Sequence, residues 1–318
     1  MYCNFRAHSL SPPVSLLLFT RMPSAATTTP KSVWTQKPQS VTEKPGMRLP
    51  MENALMVRGG DVKPPLGLYE NAVAVGEKKA TGSCQNTLML GFISGCHIAF
   101  GGLLALTVGA NIPAMATANP GLQKLLFGIF GLPFGLYMVI VGGGELFTGN
   151  TAVVTAALIE GKATVKQLIK NWTLSYAGNL LGSLFLAYLA VLAGINSSPD
   201  AAAKIVVAKC ASPFLKTVLK GIVCNWMVCM AVWVATGTSG LTEKYLAMVL
   251  PVSAFVAFGA EHSVANMFLL PIGKLSGGNA SWLDIFVKNI LPVTLGNILG
   301  GAVMQAGLYS AVYGSLLK

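Results

Sequence analysis

Charge is what this chain has least of. Only 10% of its 318 residues are Asp, Glu, Lys or Arg, 53% are hydrophobic and the mean hydropathy is +0.62. Soluble domains carry about 25% charged residues, so a water-facing globular fold is excluded. Acidic residues are the scarcest, 11 against 22 basic, yet the resulting charge of +11 comes with no RNP, zinc-finger or helix-turn-helix signature, and nucleic acid is not an expected partner. The six cysteines show neither a CxxC pair nor Cys/His ligand spacing, so no metal site is expected. Val141-Gly-Gly-Gly144 has no preceding strand and lacks the Lys-Ser/Thr of a phosphate-binding loop, so neither a nucleotide nor any other cofactor is expected. What the chain does have is 35 glycines, many set among long apolar stretches, a composition suited to closely packed transmembrane helices.

Residues 1–65 differ in kind from the rest. All four arginines (Arg6, Arg21, Arg48, Arg58) lie there, no acidic residue precedes Glu43, and Ser, Thr and Pro are dense. Basic, Ser-rich and acid-poor is the pattern of an organelle transit peptide, although the composition also permits plain disorder. The secretory alternative rests on Val14–Phe19, a core of only six residues against the roughly 7–15 such a signal needs. The segment is set apart from the fold, and residues 66–318 are read as the transmembrane domain.

That domain opens with a short amphipathic helix, Leu66–Ala80, expected at the membrane surface. Six stretches near the roughly 20 residues needed to span a bilayer follow: Thr87–Gly109, Leu122–Gly144, Leu168–Ile195, Phe214–Thr236, Leu246–Gly259 and Ile285–Leu316. The second and fifth run into polar-containing interruptions, Glu145–Asn150 and Glu261–Asn266, before short apolar pieces resume. These interruptions share Glu first and Asn last, 116 residues apart, and Lys170-Asn171 through Gly182 repeats as Lys288-Asn289 through Gly300 at an offset of 118. Two halves of three spans each, about 84–195 and 204–316, must have opposite topology. Paired broken helices in an inverted repeat point to a transport pathway near the membrane midplane. Such breaks survive only inside protein or against a wet cavity, so Glu145, Asn150, Glu261 and Asn266 are expected to be structural, each carboxylate capping backbone N–H groups of its own break.

The runs Glu145-Leu-Phe-Thr-Gly-Asn-Thr151, Cys224-Asn-Trp226, Glu261-His-Ser-Val-Ala-Asn-Met-Phe268 and Leu291-Pro-Val-Thr-Leu-Gly-Asn297 resemble the formate/nitrite transporter family. The resemblance covers roughly residues 66–316. The basic extension makes the chain similar to algal chloroplast-envelope members, which carry nitrite or bicarbonate. The resemblance implies an all-α, aquaporin-like protomer of six helices with the second and fifth broken, assembled as a pentamer with one pore in each protomer.

His262 is the leading functional residue, because it alone of the three histidines lies within a broken-helix motif. An imidazole can meet a small oxyanion with a hydrogen bond or exchange a proton with it. By resemblance, Thr148 faces it and bonds the ring, Asn225 is its neighbour on the fourth span, and Leu146, Phe147 and Phe255 line the constrictions. Leu132, Phe134 and Leu136 are candidates for an outer ring whose register is left open. Lys209 matches a lysine at the pore mouth, where it would draw anions in. Asn179 and Asn297 recur in both halves as helix-packing or loop-holding groups, while His97 reads as an ordinary core or interface residue. Apolar constrictions stop conduction by dewetting, which also bars inorganic cations and large solutes.

The expected function is transport of small monovalent anions, nitrite first and bicarbonate or formate as alternatives, across the inner chloroplast envelope, with proton coupling left open. The expected partners are those anions, protons, membrane lipid and four further copies of the chain. An integral-membrane enzyme would need a nucleophile–base set, metal cluster or cofactor motif, and none is found. Water or glycerol channels carry paired Asn-Pro-Ala boxes, which both breaks lack.

Overall fold

A computed structural model describes residues 62–318, and among these every regular element is a helix. The proposed leader therefore lies, up to residue 61, outside the described residues. Helix α1 is Pro65–Thr81, α2 Cys84–Val108, α3 Pro113–Ala118, α4 Pro120–Ile129, α5 Leu132–Val141 and α6 Phe147–Ile159. Then come α7 Val165–Leu192, α8 Pro199–Cys210, α9 Phe214–Thr236, α10 Leu241–Ala257, α11 Ser263–Leu275 and a last long helix α12, Trp282–Tyr313.

Among the described residues, five stretches are long and apolar enough to cross a membrane: Cys84–Gly109, Pro120–Val141, Val165–Leu192, Phe214–Thr236 and Trp282–Tyr313. The remaining crossing is divided between α10, of 17 residues, and α11, of 13. The second crossing is bent as well as broken, where the sequence had suggested one straight helix up to the break. Helix α4 stops at Ile129 and α5 restarts at Leu132, because Pro133 in its first turn has no N–H to continue the ladder.

The repeat is visible in the backbone. Gly143 and Gly259 stand 116 residues apart, at the head of the two breaks, with φ of 68° and 70°. That left-handed conformation is open chiefly to glycine. Helix α2 meets α7, and α9 meets α12, through equivalent glycines. A Cβ on Gly178 would collide with the Leu88 carbonyl oxygen, and one on Gly296 with that of Val218. Leu88 and Val218 are themselves equivalent, at an offset of 130. Small residues at these crossings let backbones approach, the usual basis of helix association in lipid.

The two half-helices α6 and α11 form the buried centre. Their residues Phe147 to Val154 and Ser263 to Gly273 are all buried. The long helices surround them and turn apolar side chains outward, with Leu192 84%, Leu250 73% and Leu283 71% exposed. So much outward apolar surface suits lipid or neighbouring subunits rather than water. Helix α1 is more deeply seated than a surface helix: Tyr69, Ala72, Val73, Gly76 and Ala80 are buried, and Gly76 lies against the Val153 carbonyl.

Candidate functional site

Each break exposes backbone groups that need partners inside the bundle. Asparagines from α7 and α12 supply them. The Phe147 N–H donates to Asn179 Oδ1 at 2.9 Å, and Asn179 Nδ2 donates to the Gly91 and Glu145 carbonyls at 2.8 and 2.9 Å. In the other half the Ser263 N–H donates to Asn297 Oδ1 at 2.8 Å, and Asn297 Nδ2 donates to the Gly221 and Glu261 carbonyls at 2.9 and 3.0 Å.

The two glutamates do something other than the backbone capping expected of them. Glu145 accepts from Lys79 Nζ at 3.0 Å, Asn150 Nδ2 at 2.6 Å and Asn171 Nδ2 at 3.1 Å. Glu261 accepts from Lys209 Nζ at 2.7 Å, Asn266 Nδ2 at 2.7 Å and Asn289 Nδ2 at 3.5 Å. A buried carboxylate is tolerated only when paired and fully hydrogen-bonded, and both are. Lys209 is thus an ion-pair partner as well as a cavity wall. Its counterpart Lys79 escaped the sequence reading. The clue was available, since Lys79 precedes Gly91 by the same 12 residues that separate Lys209 from Gly221.

Two cavities approach the centre from opposite ends. One, of about 400 Å³, is edged by Lys78, Lys79, Glu145 and Leu146. The other, of about 270 Å³, is edged by Lys124, Lys209, Phe255 and His262. Between them is a gap of about 10 Å³ walled by Leu132, Leu136, Leu146, Val228, Phe255 and His262. A void needs roughly 10–15 Å³ to take even one water molecule. This conformation is therefore closed, and His262 is the one wall residue with a polar side chain.

His262 caps the N-terminus of α11. Its Nδ1 accepts the Ala265 N–H at 3.0 Å, and its Nε2 lies 3.0 Å from Thr148 Oγ1. With Nδ1 occupied as an acceptor, the bonding network assigns the neutral ring with its proton on Nε2, donated to Thr148. The Thr148 hydroxyl hydrogen is then free for a further acceptor. Phe255 stacks on the imidazole, centroids 6.0 Å apart and planes 18° from parallel. Both half-helices begin at this point, so two partial positive dipole ends converge there.

The remaining expected residues divide. Asn225 makes its hydrogen bonds elsewhere than to His262; its Nδ2 donates to the Thr148 carbonyl at 3.1 Å, Thr151 Oγ1 at 2.9 Å and the Asn297 carbonyl at 2.6 Å. Phe147 turns away from the gap and sits edge-on to Tyr176 and Trp172, at 4.9 and 6.2 Å. Phe134 is exposed, whereas Leu132 and Leu136 reach the gap. Among the described residues no group of three or more His, Cys, Asp or Glu could hold a metal ion.

Residues 67–311 match the sequence profile of the family described as "Formate/nitrite transporter". A "Probable formate transporter" of Methanothermobacter thermautotrophicus is 38% identical over 273 residues, covering 80% of this chain and 98% of that protein. The "Formate channel FocA" of Escherichia coli (strain K12) is 33% identical over 276 residues, covering 80% and 95%. Among solved structures, a "Pentameric formate channel with formate bound" superposes with a TM-score of 0.63 at 30% identity, covering 73% of this chain and 98% of that one. An "FNT family ion channel" superposes with a TM-score of 0.67 at 30% identity, covering 78% and 98%.

Proposed function

Because this multi-pass membrane protein belongs to the formate/nitrite transporter family, we propose that it is a channel for small monovalent anions, nitrite first among them, and works as a homo-pentamer with one pore in each protomer. The observation that carries the reading is the apolar gap of about 10 Å³ between two lysine-edged cavities, with the His262–Thr148 pair as its polar contact. The pentamer is supported by likeness to a channel described as pentameric, and by the outward apolar faces of the long helices. Formate is the second reading, because similar proteins are named for it.

The lysines Lys78, Lys79, Lys124 and Lys209 concentrate an anion at either mouth. The converging half-helix N-termini and the free Thr148 hydroxyl hydrogen then draw it to the centre. Crossing the apolar walls while charged is expensive, and much less so as the neutral acid. The anion therefore takes up a proton from the water of the mouth before it enters the gap, passes Leu146 and Phe255 as the neutral acid, held in transit by His262 and Thr148, and releases that proton to water on the far side. Residues 1–65 act as a plastid transit peptide and place the channel in the inner chloroplast envelope; their support is the confinement of arginine to that segment.

Competition in proteoliposomes tests the substrate. Labelled formate uptake should fall most when unlabelled nitrite is added. Stronger competition by formate or bicarbonate reassigns the anion, and absence of uptake for all three rejects the channel.

A further inference from the structure

Helices α6, α9 and α12 meet along a seam behind Thr148. Superposing the repeat registers shows what this seam is made of. Thr151 lies against Gly301, as does Asn225, while Trp233 packs on Tyr309 with ring centroids 5.6 Å apart. One turn beyond Gly301, this register brings Gln305 to the level of Thr155 and Cys229. Gln305 is 0% exposed, and neither its amide oxygen nor its amide nitrogen has a protein partner. Two neighbouring buried groups on the same seam, Asn225 Oδ1 and Trp233 Nε1, are likewise unpartnered. A buried amide left without hydrogen bonds carries its full desolvation penalty, so a cluster of them needs an explanation.

The other half of the repeat supplies the comparison. Its equivalent seam lies between α2, α7 and α11, where the counterparts of Cys229, Trp233, Thr151 and Gln305 are Ala99, Leu103, Met267 and Ala187. That seam is a cluster of apolar side chains, apart from Ser183, which donates to the Gly95 carbonyl at 3.3 Å. The fold therefore packs this helix triple without buried amides. The polar version is found in the half whose α6 carries Thr148. In the same place α12 winds as a π-helix from Leu299 to Gly307, a distortion common at functional sites.

We propose that this seam is an internal water-binding site with Gln305 as its central ligand. Ordered water there bridges the Gln305 amide to Asn225 Oδ1 and to Trp233 Nε1. Gln305 is thereby a positioning residue: it fixes Asn225, which holds the Thr148 carbonyl and so the hydroxyl that meets His262. Its role in transport rests on the channel function proposed above; the water site itself does not.

The test has two parts. A high-resolution experimental structure of the full chain in nanodiscs should show ordered density within hydrogen-bond distance of both Gln305 amide atoms. A Gln305 amide bonded directly to protein groups, with no such density, overturns the site. In proteoliposomes, Gln305→Leu should lower anion uptake about fivefold, the size of one lost hydrogen bond, and change its pH profile, while Gln305→Asn, which keeps an uncharged amide at the seam, retains most of both. Unchanged uptake and pH profile in Gln305→Leu overturn the positioning role. A Gln305→Leu protein that does not assemble leaves the decision to the wild-type density. Absence of anion uptake by the wild-type protein, by contrast, counts against the channel reading and leaves the water site standing.

Discussion

Leu146 and His262 occupy the same position in the two repeats, 116 residues apart, and wall the same gap. Each is the residue before its half-helix, Phe147–Ile159 or Ser263–Leu275, and each follows its ion-paired glutamate. Only one carries a polar side chain. The partner hydroxyl comes from the opposite repeat, because Thr148 is equivalent to Val264. A nearly symmetric scaffold thus makes one asymmetric polar contact at its centre.

Replacing Thr148 tests that contact. Thr148→Val removes the acceptor of the His262 Nε2–H and the hydroxyl proposed to meet the anion, so uptake should fall by about five- to tenfold, the effect of one hydrogen bond. Thr148→Ser should retain most of it. Equal uptake in Thr148→Val and wild type would show that the hydroxyl plays no part.

The ion pairs should matter to the fold unequally. Glu261→Ala leaves Lys209, Asn266 and Asn289 without their shared acceptor, and breaking such a buried pair costs about 3–5 kcal/mol. Asp284→Asn breaks the pair with Lys288, whose side chain is 57% exposed, and should change nothing measurable. Thermal unfolding of the detergent-solubilised protein separates the two; equal shifts would mean that the Glu261 network is not a support of the break.

Helix α1 is attached through Tyr69, whose hydroxyl donates to Glu160 and lies 2.9 Å from that of Ser310. That bond from Tyr69 holds the Glu160 carboxyl below its usual range, and burial raises Tyr69 to about 12. The lowered carboxyl contributes stability above the ordinary Glu value near 4.3 and loses it as pH falls through the lowered value. The raised phenol contributes below pH 10 and loses its share as pH climbs toward 12. Attachment of α1 should accordingly be constant between about pH 5 and 9. The protection of the α1 amides, taken as the exchange rate relative to the intrinsic rate at each pH, reads this directly: Tyr69→Phe should lower it across the whole window, and a wild-type protection that changes steadily between those limits would contradict the assignment.

A fluorescent fusion of residues 1–65 tests location. Delivery to the plastid is the expected result, and a cytosolic or secreted fusion excludes it.

Much of this architecture could be read before any coordinates. The Glu–Asn spacing of the two breaks and the Lys-Asn…Gly-Asn run on the third and sixth spans carried the inverted repeat, because a symmetric backbone needs the same polar partners twice. His262 stands out because it alone of the three histidines lies within a broken-helix motif. What could not be read were side-chain directions. Phe147 reads as a pore residue by resemblance to the family, but the first turn of α6 rotates it toward Tyr176 and Trp172. The glutamates' partners were equally hidden. Lys79 and Asn171 reach Glu145 from α1 and α7, and only packing brings those elements together. The bend at Gly131–Pro133 is legible in the proline, although the apolar run continues through it.

The most direct test of the central claim measures isotope flux in liposomes and current in planar bilayers on the same protein, wild type and His262→Phe. If the anion passes the Leu146–Phe255 gap as its neutral acid beside His262, flux rises as external pH falls, proton movement accompanies it and little current flows. His262→Phe then alters rate or pH dependence while the oligomer stays intact. An anion current accounting for all of the isotope flux, or His262→Phe flux identical to wild type from about pH 5 to 8, where an unperturbed imidazole titrates, would contradict it.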